Sequence, residues 1–159
     1  MKRQGSDGES GTKGFEDLQA WQLAHRLMLE CHKLADALPA SERFDLVPQI
    51  RRSSKSTPAN IAERYGRYHY LDSLRFYYIA RGSLNETVNH IIAAHELGYA
   101  KDDIYQNLYE LGREAERVLN GYIAFVWQQR QGHVTYGERA VAEDLSPYEL
   151  SPSDSVREA

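Results

Sequence analysis

At 159 residues the chain is long enough for one domain with a sizeable core and too short for two. Its composition, 42% hydrophobic and 26% charged, is that of a globular protein, and no run of about 18 apolar residues predicts a membrane-spanning helix. A net charge of −4 argues against a surface that is basic throughout, and Cys31, the lone cysteine, cannot form an internal disulfide and fits a reducing cytoplasm.

The sequence divides into a polar leader over 1–14, a helical body over 15–131 and an acidic tail over 132–159. The leader lacks the apolar stretch of a secretory signal. The tail carries Ser146-Pro147 and Ser151-Pro152 and has little with which to build a core, so it is expected to be disordered or loosely docked. Within the body, Leu18, Trp21, Ala24, Met28, Cys31, Leu34 and Ala35 recur at helical spacing and predict a first helix from about Asp17 to Ala37, stopped by Leu38-Pro39. Cys31 reads as a small apolar core residue.

The second helix is expected from Phe44–Leu46 to about Tyr65. Ile50, Ser54, Thr57, Ile61 and Tyr65 form its inner stripe, with Arg51, Arg52, Lys55, Ala59 and Glu63 opposite. Pro58 removes a hydrogen bond inside it, and a kink is expected there. The third helix runs from about Leu71 to Leu97, with Leu74, Tyr77, Leu84, Val88 and Ile91 as its main stripe and Gly98 as its stop. The fourth begins after Asp102 or Asp103 as N-cap and continues to about Gln129. Ile104, Leu108, Leu111, Ala115, Val118, Tyr122 and Phe125 are its apolar series. Four long helices joined by short loops predict an all-α protein, an antiparallel up-down-up-down four-helix bundle.

Charge is unevenly spread along the body. From Arg43 to Arg81 there are eight basic residues against three acidic ones, a surplus of five, which leaves −9 on the rest of the chain. This stretch includes Arg51, Arg52, Lys55, Arg64, Arg67 and Arg75, and with them Tyr65 and Tyr68. Around the turn after the second helix the order is Arg64-Tyr65-Gly66-Arg67-Tyr68-His69-Tyr70. Cations interleaved with aromatics suit single-stranded nucleic acid, because arginine neutralises phosphate and tyrosine stacks on bases for about 1–3 kcal/mol each. The reading put first for these residues is a bundle end closed by tyrosines, with the arginines reaching to water. For Arg51, Arg52 and Lys55 three readings stand: an extension of that patch, an ordinary solvated face, or a face meeting the acidic residues Glu110, Glu114 and Glu116 of a neighbouring subunit.

The segments Phe15-Glu16-Asp17-Leu18-Gln19-Ala20-Trp21, Gln49-Ile50-Arg51-Arg52-Ser53-Ser54, Pro58-Ala59-Asn60-Ile61-Ala62-Glu63, Ala80-Arg81-Gly82-Ser83-Leu84-Asn85-Glu86 and Glu96-Leu97-Gly98-Tyr99 carry a resemblance. Over about residues 15–126 the chain resembles the bacterial proteins encoded within intervening sequences of the 23S ribosomal RNA. The resemblance implies an antiparallel four-helix bundle assembling with copies of itself into a homopentamer. A structurally similar accessory protein of diversity-generating retroelements implies RNA or DNA, or a protein such as a reverse transcriptase, as further partners. Arg64 stands where the family usually has glycine.

Several polar residues invite a structural role. Arg81 falls in the third helix's apolar stripe and needs a partner, with Glu63 or Glu42 expected and Asn60 completing the group. Gly82-Ser83 gives up helix propensity, about 1 kcal/mol for glycine against alanine, and is expected to allow close approach of another helix, within the chain or across a subunit boundary. Glu86 and His90 share a face at i, i+4, but no second such pair completes a metal site. His25 and His32 are two turns apart, about 10 Å, and His95 is expected to close a helix end. No phosphate loop or nucleophile elbow occurs, and Ser53, Ser54 and Ser56 lack an identifiable base. No catalytic residue, metal or cofactor is expected, and a binding protein is the reading.

Overall fold

A computed structural model describes residues 14–66 and 70–135, with side chains over 14–66 and 73–128. All of its regular structure is helical: α1 (Gln19–Ala37), α2 (Leu46–Tyr65), α3 (Tyr70–Glu96) and α4 (Asp102–Thr135), with short 3₁₀ turns at Phe15–Asp17 and Ala40–Glu42. The chain forms two compact units, one ending at Ile123 and one beginning at Ala124. The described part of the second is the last stretch of α4, which runs to Thr135 rather than Gln129. The expected leader and most of the expected tail lie outside the described residues.

Several helix ends have a local reason. At the head of α1, Phe15 meets Trp21 edge-on at 5.3 Å, and Trp21 stacks on His25 at 4.5 Å. At its end, Leu38 is extended (φ −69°, ψ 151°), because Pro39 disfavours a helical residue before it. Asp45 gives α2 no side-chain cap; Glu42 does so instead, its Oε2 accepting from the Leu46 N–H at 3.3 Å. Pro58 is buried inside α2 without ending it. Gly98, at φ 81°, takes the left-handed position after α3, and the Gly98 and Tyr99 N–H groups return to the His95 and Ala94 carbonyls. Asp102 and Asp103 are the first residues of α4 rather than its cap, where their charge suits the positive end of the helix.

In the first unit, α2 packs most extensively on α3 and next on α1. The core draws Leu23, Leu27, Cys31 and Leu34 from α1, Ile50 and Ile61 from α2, and Leu74, Tyr77, Leu84, Val88 and Ile91 from α3. Burial pushes the Cys31 thiol up to about 12, with the nearby Glu30 carboxylate adding to it. Tyr65, expected on the inner stripe of α2, is 41% exposed.

The inner side of α4 differs from the expected series. Of that series only Leu108 and Ala115 are buried, while Leu119, Ile123 and Val126, outside the series, are buried and Ile104 is exposed. The reason is Gly112: a Cβ there would lie 2.7 Å from Val88 Cγ2 and 3.8 Å from Leu27 Cδ2. Helices meet closely at this position because it has no side chain, and that absence shifted the apolar pattern by about one residue. Contacts between α3 and α4 run from Arg81–Asn120, through Val88 beside Gly112, to His95 stacked on Tyr105 at 4.1 Å.

Candidate functional site

The α2–α3 interface is lined by small hydroxyls rather than by leucines. Ser53, Ser54 and Thr57 of α2 and Ser83 and Thr87 of α3 are buried. Ser56 and Ser83 share a hydrogen bond of 2.8 Å between their Oγ atoms. The Thr87 hydroxyl lies 3.0 Å from Ser53 Oγ and 2.8 Å from the Ser83 carbonyl oxygen. Asn60 donates from Nδ2 to the Ser56 carbonyl at 2.8 Å and to its Oγ at 3.1 Å. Small side chains let the helices approach, and cross-helix bonds offset the cost of burying Ser53, Ser83 and Thr87. Ser54, by contrast, bonds the Arg51 carbonyl of its own helix, and Thr57 Oγ1 is buried with no partner among the described residues.

On the outer margin of this seam Arg52 donates to Glu86, and Glu86 Oε1 also lies 3.6 Å from Nε2 of the buried His90. The helix-to-helix tie is thus made by Arg52 and Glu86, while His90 Nε2 is buried with no hydrogen-bond partner among the described residues. Among the described residues, no group of three or more His, Cys, Asp and Glu side chains is arranged to hold a metal ion. His32 donates from Nδ1 to the Met28 carbonyl at 2.9 Å, and His95 from Nδ1 to the Ala100 carbonyl at 3.0 Å, so His95 does close the end of α3.

The basic run is not one uniform surface. Arg51 is half-buried and bonds Asp36 of α1, so two of the expected surface cations, Arg51 and Arg52, are tied to carboxylates of the same chain. Lys55 and Arg75 are exposed and join none of the ion pairs among the described residues. Arg64 lies over the ring of buried Tyr77, 5.1 Å from its centroid, and its Nε is buried with no acceptor among the described residues. Burial raises the Tyr77 hydroxyl above its ordinary range, the Arg64 charge opposing it. Tyr65 is exposed beside Arg64, while Arg67 and Tyr68 lie outside the described residues.

The polar residues of α3 find partners that the sequence did not single out. Arg81 donates to Asn120 Oδ1 at 3.2 Å and lies over the Tyr78 ring at 5.1 Å, rather than reaching Glu42 or Glu63. It sits at the margin of the bundle, where α4 supplies an amide in place of the expected carboxylate. Glu42 instead accepts from the Tyr99 hydroxyl at 2.9 Å, a bond that raises the Tyr99 hydroxyl above its ordinary range. Exposed Glu63 stays on the outer side of α2. Gly82 and Ser83 divide: Ser83 is buried against Ser56, whereas a Cβ on Gly82 would meet nothing within 4 Å. The seam itself left a trace in the sequence, hydroxyls at 53, 56 and 57 on one helix and at 83 and 87 on the other.

A shallow groove of about 580 Å³ lies between α1 and α4, with Leu34, Ile104 and Leu111 among its apolar lining and Glu30, Glu110 and Glu114 among its acidic lining. No helix among the described residues is long and apolar enough to cross a membrane.

None of the curated proteins compared matches this chain. A crystal structure of a protein of unknown function from the S23 ribosomal protein family of Bacteroides thetaiotaomicron VPI-5482 is similar, with 22% identity and a TM-score of 0.62. The similarity covers 66% of this chain and 95% of that one, and at that identity it shows the fold alone. The model of the 23S rRNA-intervening sequence proteins matches residues 16–121, the span that holds the hydroxyl seam, the basic run and the close crossing at Gly112. The chain belongs to the family of 23S rRNA-intervening sequence proteins.

Proposed function

We propose that this protein is a non-enzymatic, cytoplasmic accessory that assembles with copies of itself, as a pentamer by resemblance, and binds single-stranded nucleic acid through the cations around the end of α2. The observation that carries this reading is Arg64 on Tyr77 beside exposed Tyr65, with exposed Lys55, which joins no ion pair among the described residues, earlier on α2. Such a surface offers phosphate contacts and an aromatic face together. An antiparallel up-down-up-down arrangement is part of the reading. Supporting it, partner numbers rise along α3 as they fall along α4, from Arg81–Asn120 to His95–Tyr105.

Filter binding of single-stranded RNA and DNA at two salt concentrations tests the proposal. Binding should weaken steeply with salt and fall in an Arg64→Ala/Arg67→Ala double variant. Absence of binding at low salt, or an unchanged double variant, would refute it.

A second reading has its own support. Arg51 and Arg52 are neutralised by Asp36 and Glu86 of the same chain, which leaves fewer cations for phosphate. In this alternative the assembly docks a protein, such as a reverse transcriptase, without touching nucleic acid. A partner retained on the protein in nuclease-treated extract favours this reading over the first.

A further inference from the structure

α3 differs from an ordinary surface helix in what its outer side carries. Between Phe76 and His95 only Arg81 and Glu86 are charged, and Glu86 is engaged by Arg52 of the same chain. The residues left exposed along this stretch include Tyr78 and Ile79, at 39% and 42%, then Gly82, Asn85 and Asn89. From the adjacent pair Tyr78 and Ile79 onward they follow at three- and four-residue steps and so form one outward stripe. A helix face bathed in water is normally charged, whereas depletion of charge beside aromatic and aliphatic side chains marks the core of an interface.

Gly82 adds an independent observation. Glycine weakens a helix relative to alanine, yet among the described residues nothing lies within 4 Å of a Cβ placed there. No helix among the described residues crowds it, in contrast to Gly112, which Val88 and Leu27 crowd.

A second apolar surface is the α1–α4 groove, where Ile104 is 42% exposed. Its lining is mixed in charge: on the α1 side stand Arg26 and the Lys33–Glu30 ion pair, and on the α4 side Glu110 and Glu114, neither of which joins an ion pair among the described residues. The α3 stripe is flanked instead by Arg75 and Arg81. Cations beside one face and unpaired carboxylates on the α4 side of the other fit a head-to-tail contact between copies.

We infer that the outer stripe of α3 in one copy docks against the α1–α4 groove of the next, with Gly82 at the closest approach and Arg75 and Arg81 turned toward Glu110 and Glu114. The inference rests on the self-assembly proposed above and assigns the two faces that make it. Gly82 gives the neighbour's backbone room, Ile79 supplies apolar area, and the charges set the register.

Sedimentation of the full chain, with circular dichroism as the check on folding, tests this. The wild-type protein is expected at a multiple of 18.2 kDa. Gly82→Leu and Ile79→Glu should each shift it to 18.2 kDa while the helical signal persists, since neither position lies in the chain's own core. Should Gly82→Leu lose its helical signal, Ile79→Glu decides alone. Glu114→Arg should weaken assembly, and adding Arg75→Glu to it should restore a larger species. Wild-type protein at 18.2 kDa would overturn self-assembly and this inference together, leaving the face to a different protein. Assembly that survives both Gly82→Leu and Ile79→Glu would overturn the assigned interface and leave self-assembly standing.

Discussion

Two helix crossings in this molecule reach close approach by opposite means. Where α4 meets α1 and α3, Gly112 removes a side chain and apolar Leu27 and Val88 fill the space. Where α2 meets α3, Ser53, Ser56, Ser83 and Thr87 keep their side chains small and join them by hydrogen bonds. The apolar crossing gains from burial and tolerates no added volume. The hydroxyl seam gains little net free energy per bond, but a misaligned register would bury unsatisfied hydroxyls, so it fixes which residues face each other.

The contrast can be broken from its apolar side first. Cys31 shares the buried side of α1 with Leu27, and its thiol is held up to about 12 against an ordinary 9.0. The folded chain therefore keeps this proton after the unfolded chain has lost it. Its contribution is fully present below about 9 and is lost as pH rises toward 12. Integrated over that window the effect reaches about 4 kcal/mol. Urea unfolding followed through that range should show the decline, and Cys31→Ala should flatten part of it. The raised Tyr77 and Tyr99 hydroxyls contribute in the same direction.

Leu27→Ala, which empties the space beside Gly112, should cost about 2–5 kcal/mol in the same denaturation assay. Thr87→Val keeps the shape but removes the hydroxyl that meets Ser53 and the Ser83 carbonyl, and should cost about 1–3 kcal/mol. A loss as large as that of Leu27→Ala would mean that the seam, not the apolar crossing, dominates stability.

The smallest and sharpest comparison is between two glycines. Gly112→Ala forces a Cβ to 2.7 Å from Val88 Cγ2, and the gain in helix propensity offsets only part of the strain, leaving a net cost of about 1 kcal/mol. Gly82→Ala meets open space and should stabilise the isolated chain by up to about 1 kcal/mol. Adding Val88→Ala to Gly112→Ala should relieve the contact. If both glycine variants behaved alike, close packing at Gly112 would be refuted.

Periodicity in the sequence was enough for four helices, for the stop at Leu38-Pro39 and for the turn at Gly98, because these depend on local backbone chemistry and on residues a few positions apart. The stripe of α3 was equally legible, since Leu74, Tyr77, Leu84, Val88 and Ile91 are large and apolar at regular spacing. α4 was not, because its closest contact is a residue without a side chain and leaves no hydrophobic signal. The candidate site shows the same limit: composition identified a basic run, but it could not tell Arg52, held by Glu86 thirty-four positions away, from Lys55, which is open to solvent. Sequence by itself determined the helices and the family pattern. Only the tertiary structure decided which charges are already spent on partners in the same chain, because a charge acquires its partner through contacts between helices and not from its neighbours in the sequence.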